Sequence, residues 1–194
     1  MKIRPANMDD ALPMAHVIVD TFLAANQGLM SEQALQRRKD QWTYEASARD
    51  WQATMQAIAQ GTSPLTCLFV AEDDGGEVIG FAMGCASKDK DAPQDVGEID
   101  ILYVRESHQR RGIGRALAQA AAAHLADAGM TKLHICTPEA STQARRFYDR
   151  LGGRVIATRD DYDDGELIVL VVYEWRDIRL FADLGKQDDA TNRG

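Results

Sequence analysis

At 194 residues the chain is long enough for one well-packed core and short for two, and its 45% hydrophobic and 27% charged content is that of a water-soluble globular protein. The formal net charge of -8 argues against a nucleic-acid partner, which selects a basic surface, and suits a cationic ligand drawn into an acidic mouth. With no apolar run of membrane-spanning length and no signal-peptide core at the amino terminus, the expected location is cytoplasmic, without membrane contact.

Residues 2–4 suit a short first strand. Asn7 is placed to cap a helix over residues 8–27, with Ala11, Met14, Ala15, Ile18 and Phe22 on one face, and Gly28 ends it. Ser31 and Glu32 open a second helical stretch, and Ser47 with Asp50 marks a third, running to Gly61. The pattern then changes to strands over 65–71 and 78–85, joined by the turn Asp73-Asp74-Gly75-Gly76. A polar loop at 88–94 precedes a strand over 96–104. After a loop bearing glycine and arginine comes an alanine-rich helix, stopped by Gly129 and able to lie close to a sheet. A strand over 132–137, a helix over 141–151 stopped by Gly152-Gly153, and a strand over 154–158 follow. An acidic turn (Asp160, Asp161, Asp163, Asp164, Gly165, Glu166) leads to the near-continuous apolar run 167–173, read as an interior strand. Cys67, Cys85 and Cys136 lie in apolar strand-like runs without ligand spacing, and read as buried reduced thiols. The expected fold class is α/β or α+β with a mixed sheet, as one domain over 1–176 followed by a polar tail over 177–194.

The stretch Gln109-Arg110-Arg111-Gly112-Ile113-Gly114-Arg115 concentrates arginine in an acidic chain, directly between a strand and a helix. Exposed N–H groups of such a turn and of the helix start form a site for phosphate. The bland alternative is a helix start with two turn glycines and solvated arginines. No Gly-Lys-Ser/Thr follows, so it is not a Walker loop. The third glycine and later acidic residue of a dinucleotide fold are missing too, which counts against a protein that uses the loop for ATP or NAD.

The segment Ile99-Asp100-Ile101-Leu102-Tyr103-Val104, followed by residues 109–117, resembles the acetyl-CoA motif of the GNAT superfamily of N-acetyltransferases. Phe147-Tyr148-Asp149-Arg150-Leu151-Gly152-Gly153 is similar to the family's second signature. The resemblance implies a largely antiparallel mixed sheet flanked by helices, with splayed central strands. It assigns Gln109, Arg110, Arg111, Gly112, Ile113, Gly114 and Arg115 to the pyrophosphate of CoA, and the backbone of Leu102, Tyr103 and Val104 to the pantetheine arm, which docks like an added strand. A free N–H near Leu102 then polarises the thioester carbonyl, and Tyr148 becomes the candidate general acid toward the departing thiolate. Read from the residues alone, Tyr148 is equally a half-buried aromatic beside Phe147. Ser141 stands where the family often has Asn and is grouped with the donor-binding residues, while Gly153 replaces the usual aromatic and is expected to loosen a packing contact.

An amine nucleophile must lose a proton. Glu98 and Asp100 alternate onto one strand face, and either is a candidate base, directly or through water; the alternatives are strand-edge polar residues or a seat for the substrate's ammonium. The acidic cluster at 160–166 is either a cation lure or a solvated turn. His16 and His124 read as packed side chains, and His108 as flanking the phosphate loop. The implied activity is acetyl transfer from acetyl-CoA to a primary amine within a ternary complex, needing no metal. The acceptor is a cationic small molecule or peptide, and a homodimer is left open. The alternative is a non-catalytic acyl-CoA-binding sensor or scaffold.

Overall fold

A computed structural model describes residues 1–163 and 165–184. Seven strands, β1 (Lys2–Pro5), β2 (Cys67–Glu72), β3 (Val78–Ala86), β4 (Val96–Val104), β5 (Lys132–Pro138), β6 (Arg154–Asp163) and β7 (Glu166–Trp175), form one sheet in the order β1-β2-β3-β4-β5-β7-β6. Six helices flank it: α1 (Ala11–Ala25), α2 (Glu32–Gln41), α3 (Tyr44–Ala59), α4 (Ile113–Asp127), α5 (Thr142–Arg150) and α6 (Ile178–Ala182). All neighbouring strands are antiparallel except β4 and β5, whose parallel pairing follows from the crossover through α4. This is the mixed, mostly antiparallel sheet that the sequence implies, and β7 lies inside it, as its apolar run requires.

Period-two alternation divides the apolar residues between two cores. Leu68, Val70, Val78 and Phe81 face α1 and α3, where Met14, Ile18, Trp51 and Met55 close over them. Cys67, Ala71, Ala82 and Ile99 face α4, with Leu117, Ala121 and Leu125. A Cβ added at Gly84 would stand 3.1 Å from Leu125 Cδ1, and one at Gly97 3.0 Å from the same atom. Missing side chains on the strands and alanines on α4 together let helix and sheet approach closely, as the alanine content foretold.

Several boundaries differ from the sequence reading. α3 is capped by Thr43, whose side chain accepts from Ala46 N, so the helix starts before Ser47, which is buried. The acidic turn is mostly strand, because β6 continues to pair with β7 through Asp160↔Val169 and Asp161↔Ile168; Asp164 lies outside the described residues. Residues 177–182, assigned to the polar tail, instead cap and form α6, and bury Ile178 and Phe181 against the α4-side core. The Phe181 ring meets Trp175 edge-on at 4.9 Å. The expected loose tail from 183 falls largely on residues 185–194, outside the described ones.

Gly153 also departs from expectation. A Cβ there would lie 2.7 Å from Trp175 Cζ2 and 2.9 Å from Tyr173 Cδ1, and the Trp175 indole N–H donates to Leu151 O at 2.8 Å. The contact is not loosened: Trp175 from β7 fills the place that a side chain at 153 would take.

At the amino-terminal edge Arg4 makes a bidentate pair with Asp10 (2.7 and 2.8 Å) and a third bond to Glu72 (2.7 Å). Asp10 also accepts from Asn7 N at 2.8 Å, closing a capping box. Burial pushes the Asp10 carboxyl up, but the bonds from Arg4 and Asn7 outweigh it and hold the carboxyl below its ordinary value. The folded state therefore binds that proton less tightly than the unfolded chain, so this stabilisation is present at neutral pH and fades as pH falls below about 4.

Arg4→Met is expected to cost about 3 kcal/mol at pH 7, because Asp10 is left buried and unpaired; in urea denaturation the penalty should shrink below about pH 4. Gly153→Ala is expected to cost about 2 kcal/mol by overpacking, read as a drop in melting temperature of about 5 °C with altered Trp175 fluorescence.

Candidate functional site

The sheet opens at its centre. β4 and β5 pair over only four positions, Val96↔Lys132 to Ile99↔Ile135. β4 stays bonded to β3 out to Val104, and β5 to β7 out to Pro138. From Asp100 onward the two strands diverge, and a bulge shifts the β3–β4 register where Met83↔Ile101 gives way to Gly84↔Ile99, leaving Asp100 the extra residue. Arg105 N donates to Ile79 O at 2.9 Å, toward β3. By strand alternation the peptide groups of Leu102 and Val104 then face the wedge, while those of Tyr103 face β3. Two of the three expected backbone positions thus line the opening and Tyr103 does not; its side chain turns to the α1/α3 face beside Phe81.

The wedge leads to the arginine-glycine loop. Arg110 has φ 62° and Gly112 φ 80°, so two left-handed residues flank Arg111. That alternation gathers successive N–H groups into a concave donor surface. Gly112 precedes α4 without any side-chain cap, and no acidic residue lies in the helix's first turn. The first intrahelical bond is Ala116 N to Gly112 O, 3.0 Å, which leaves the N–H groups of Ile113, Gly114 and Arg115 free for an anion at the positive end of a fifteen-residue helix. Gln109 braces the loop: its Nε2 donates to Val104 O at 3.0 Å and its Oε1 accepts from Gln143 Nε2 on α5 at 2.9 Å. A cavity of about 430 Å³ borders the loop, with His108, Arg111 and Ile113 on one wall and Asp73 and Asp74 on the other. Those carboxylates disfavour an anion in this hollow, whereas the helix end offers N–H donors with no acidic residue in its first turn.

Tyr148 on α5 is 7% exposed. It packs against Phe147, Tyr173 at 5.5 Å and Trp175 at 6.3 Å. Burial first, then the neighbouring Tyr103, Cys136 and Tyr173, push its phenol well above the ordinary range, so the hydroxyl keeps its proton. Among the described residues it has no hydrogen-bond partner. Ser141 occupies the N-cap position of α5 but makes no side-chain cap bond.

The two candidate bases both have partners. Glu98 is 3% exposed, and its Oε2 accepts from Ser87 Oγ and from Lys88 N, each at 3.1 Å. It anchors the β3–β4 loop. Asp100 lies 2.7 Å from Lys88 Nζ. The ion pair outweighs the effect of burial and holds the Lys88 ammonium above its usual pKa. Around this pair burial and the two carboxylates push the Cys85 thiol up to about 12, while Arg159 from β6 donates to Cys136 Sγ and approaches Asp89 at 3.8 Å. Neither Lys88 nor Arg159 was picked out from the sequence, since nothing local marks them; the close Pro93 and aspartates only identify a loop.

Opposite this cluster, the Arg38 guanidinium lies over Phe22 (5.6 Å) and Trp42 (5.5 Å). Tyr44 Oη donates to Asp20 at 2.6 Å and its ring stacks on His16 at 3.8 Å; His124 likewise packs, edge-on to Phe69. Burial pushes the Tyr103 phenol up to about 12, with Arg38 opposing and Asp100 adding to it. Glu166, counted among the cation lures, accepts from Ser31 N (3.5 Å) and Ser31 Oγ. It clasps the β6–β7 hairpin to the α1–α2 segment, while Asp160 and Asp161 remain exposed.

Comparison with known proteins gives a consistent picture. The model of the acetyltransferase (GNAT) family matches residues 31–153. A mycothiol acetyltransferase from Propionibacterium freudenreichii is 28% identical over 95 residues, 49% of this chain and 30% of that protein. The chain spans less than half the length of the mycothiol acetyltransferases it matches. Among solved structures, the PaiA N-acetyltransferase of Thermoplasma acidophilum in complex with coenzyme A superposes with a TM-score of 0.65 at 18% identity, covering 90% of this chain and 98% of that one. The yncA protein of Salmonella typhimurium with its cofactor acetyl-CoA gives 0.66 at 18%, covering 90% and 92%.

Proposed function

The chain belongs to the GNAT family of acetyltransferases, and we propose that it moves an acetyl group from acetyl-CoA to a primary amine within a ternary complex. The observation that carries this reading is the wedge running into an uncapped helix start: unpaired strand groups beside a cluster of free N–H donors. Such an arrangement fits one extended ligand with amide groups at one end and a diphosphate at the other. Acetyl transfer is also the activity for which the mycothiol acetyltransferases above are named.

When bound, acetyl-CoA supplies an acyl group activated as a thioester. The N–H groups of residues 110–115 hold the pyrophosphate, and Leu102 and Val104 pair with the pantetheine amides, although Val104 O already accepts from Gln109. Leu102 N–H, facing the wedge, is the donor for the carbonyl oxygen. Asp100, more accessible than Glu98, receives the acceptor's ammonium once Lys88 moves aside, and takes its proton directly or through water. Glu98 serves as the loop's anchor.

Tyr148 holds a proton at Oη for the departing sulfur. A phenol this far above its usual pKa gives that proton up reluctantly. The transfer is therefore expected to accompany cleavage of the C–S bond rather than to precede it.

The acceptor mouth is mixed in charge rather than simply acidic, with Asp100, Asp160 and Asp161 set against Lys88, Arg159 and Arg38. A cationic small molecule or a peptide amine suits it.

A thiol-release screen with acetyl-CoA across small amines, aminoglycosides, protein amino termini and lysine peptides tests the reading; tight acetyl-CoA binding without release for any acceptor would make the protein a sensor or scaffold. Tyr148→Phe is expected to lower turnover about 100-fold while leaving acetyl-CoA affinity within about twofold; equal loss of both would make Tyr148 a packing residue. Leu102→Pro removes the wedge-facing N–H without cutting a β3 bond, whereas Leu102→Ala removes only the side chain packed on the α4-side core; kcat is expected to fall about 100-fold or more in the proline variant alone, with circular dichroism checking that both fold.

A further inference from the structure

In the acetyl-transfer reading Lys88 is only a group that moves aside. The β3–β4 loop that carries it is pinned from beneath, Glu98 Oε2 accepting from both Ser87 Oγ and Lys88 N. Its ammonium is thereby held 2.7 Å from Asp100. Asp100 is the residue extruded at the β4 bulge, the first one past the last β4–β5 pair. A donor anchored at the helix start and running back along β4 from Val104 to its carbonyl at Leu102 N covers two residue steps, roughly 7 Å at the strand rise. Its acyl end then points on toward the closed end of the wedge, where Asp100, two residues further, pairs with the Lys88 ammonium. The chain thus places an amine of its own in the seat that an acceptor's ammonium has to occupy.

We propose that Lys88 is itself an acetyl acceptor, modified in cis when acetyl-CoA is bound and no external amine is present. The inference rests on the acetyl-transfer reading above. Lys88 Nζ gives a proton to the Asp100 carboxylate and on to water. Its lone pair forms the new C–N bond to the acetyl carbon as the C–S bond breaks. The sulfur keeps that electron pair and takes up, directly or through Tyr148, the second proton that the nitrogen loses on becoming an amide, so the products are N-acetyl-Lys88 and free CoA. An acetylated Lys88 can no longer pair with Asp100, which leaves the carboxylate open to the next ammonium.

Lys90, exposed two residues away in the same loop, is the internal reference. Sulfo-N-hydroxysuccinimidyl acetate, a donor with no CoA portion, should label Lys90 faster than the ion-paired Lys88. Acetyl-CoA should invert that order on the full chain, with Lys88 occupancy in peptide mass spectrometry at least about tenfold above Lys90 because the bound donor raises the effective concentration. The inverted labelling should be independent of protein concentration, suppressed by excess free CoA, and lost in Lys88→Arg. Equal labelling of the two lysines by acetyl-CoA, in a sample that releases thiol with an external amine, overturns the inference and leaves the acetyl-transfer reading standing. Failure to bind acetyl-CoA and to release thiol with any amine overturns both.

Discussion

Two adjacent parallel strands that stop pairing after four positions are the constraint from which the site follows. Backbone N–H and C=O groups in the middle of a sheet demand partners, and leaving a row of them open is costly. Here that cost falls on the facing edges of β4 and β5, because β3 and β7 hold their other edges as far as Val104 and Pro138. The opening is therefore rigid, and its unpaired groups are already oriented. Gln109 shows how fully the remainder is satisfied: its side chain takes the carbonyl of Val104 and hands its own oxygen to Gln143 on α5. One residue fixes the distance between the phosphate loop and the helix carrying Tyr148.

Electrostatics complete the division of labour. The arginine-glycine loop joins peptide dipoles and a helix start to three arginines, in a chain of net charge -8, so its local charge is opposite to the global one. The other end of the wedge holds formal charges that neutralise one another locally, Lys88 with Asp100 and Arg159 with Asp89, while Glu166 is held by the neutral Ser31. A ligand arriving at that end exchanges ion pairs rather than creating them. Such an exchange favours selectivity over raw affinity.

Much of the donor end was legible in the sequence because it is local. A strand over 96–104, two glycines and three arginines, and an alanine-rich helix are consecutive, and the structure realises β4 and α4 within a residue of the expected bounds. The acceptor end was not legible, because its contacts join distant segments. The β4 bulge depends on register against β3, which no local pattern announces. Trp175 replacing a side chain at 153 requires knowing that β7 runs behind α5. The extension of β6 was masked by its aspartates, which read as a turn until pairing with β7 overrides local preference. α6 looked polar because its two buried residues, Ile178 and Phe181, are spaced by three in a segment too short to show periodicity.

The clasp between Ser31 and Glu166 bridges 135 positions of sequence. Closing so long a loop carries an entropic cost that few contacts offset until the sheet exists. The rim of the acceptor mouth is thus set to consolidate late in folding, after β4, α4 and the phosphate loop have formed from nearby sequence. A late and weakly bonded rim is also the part of the molecule whose sequence can drift with least damage to the remainder. The arginine-glycine loop and the clasped rim are in that sense separately specified: one by neighbouring sequence, the other by segments 135 positions apart.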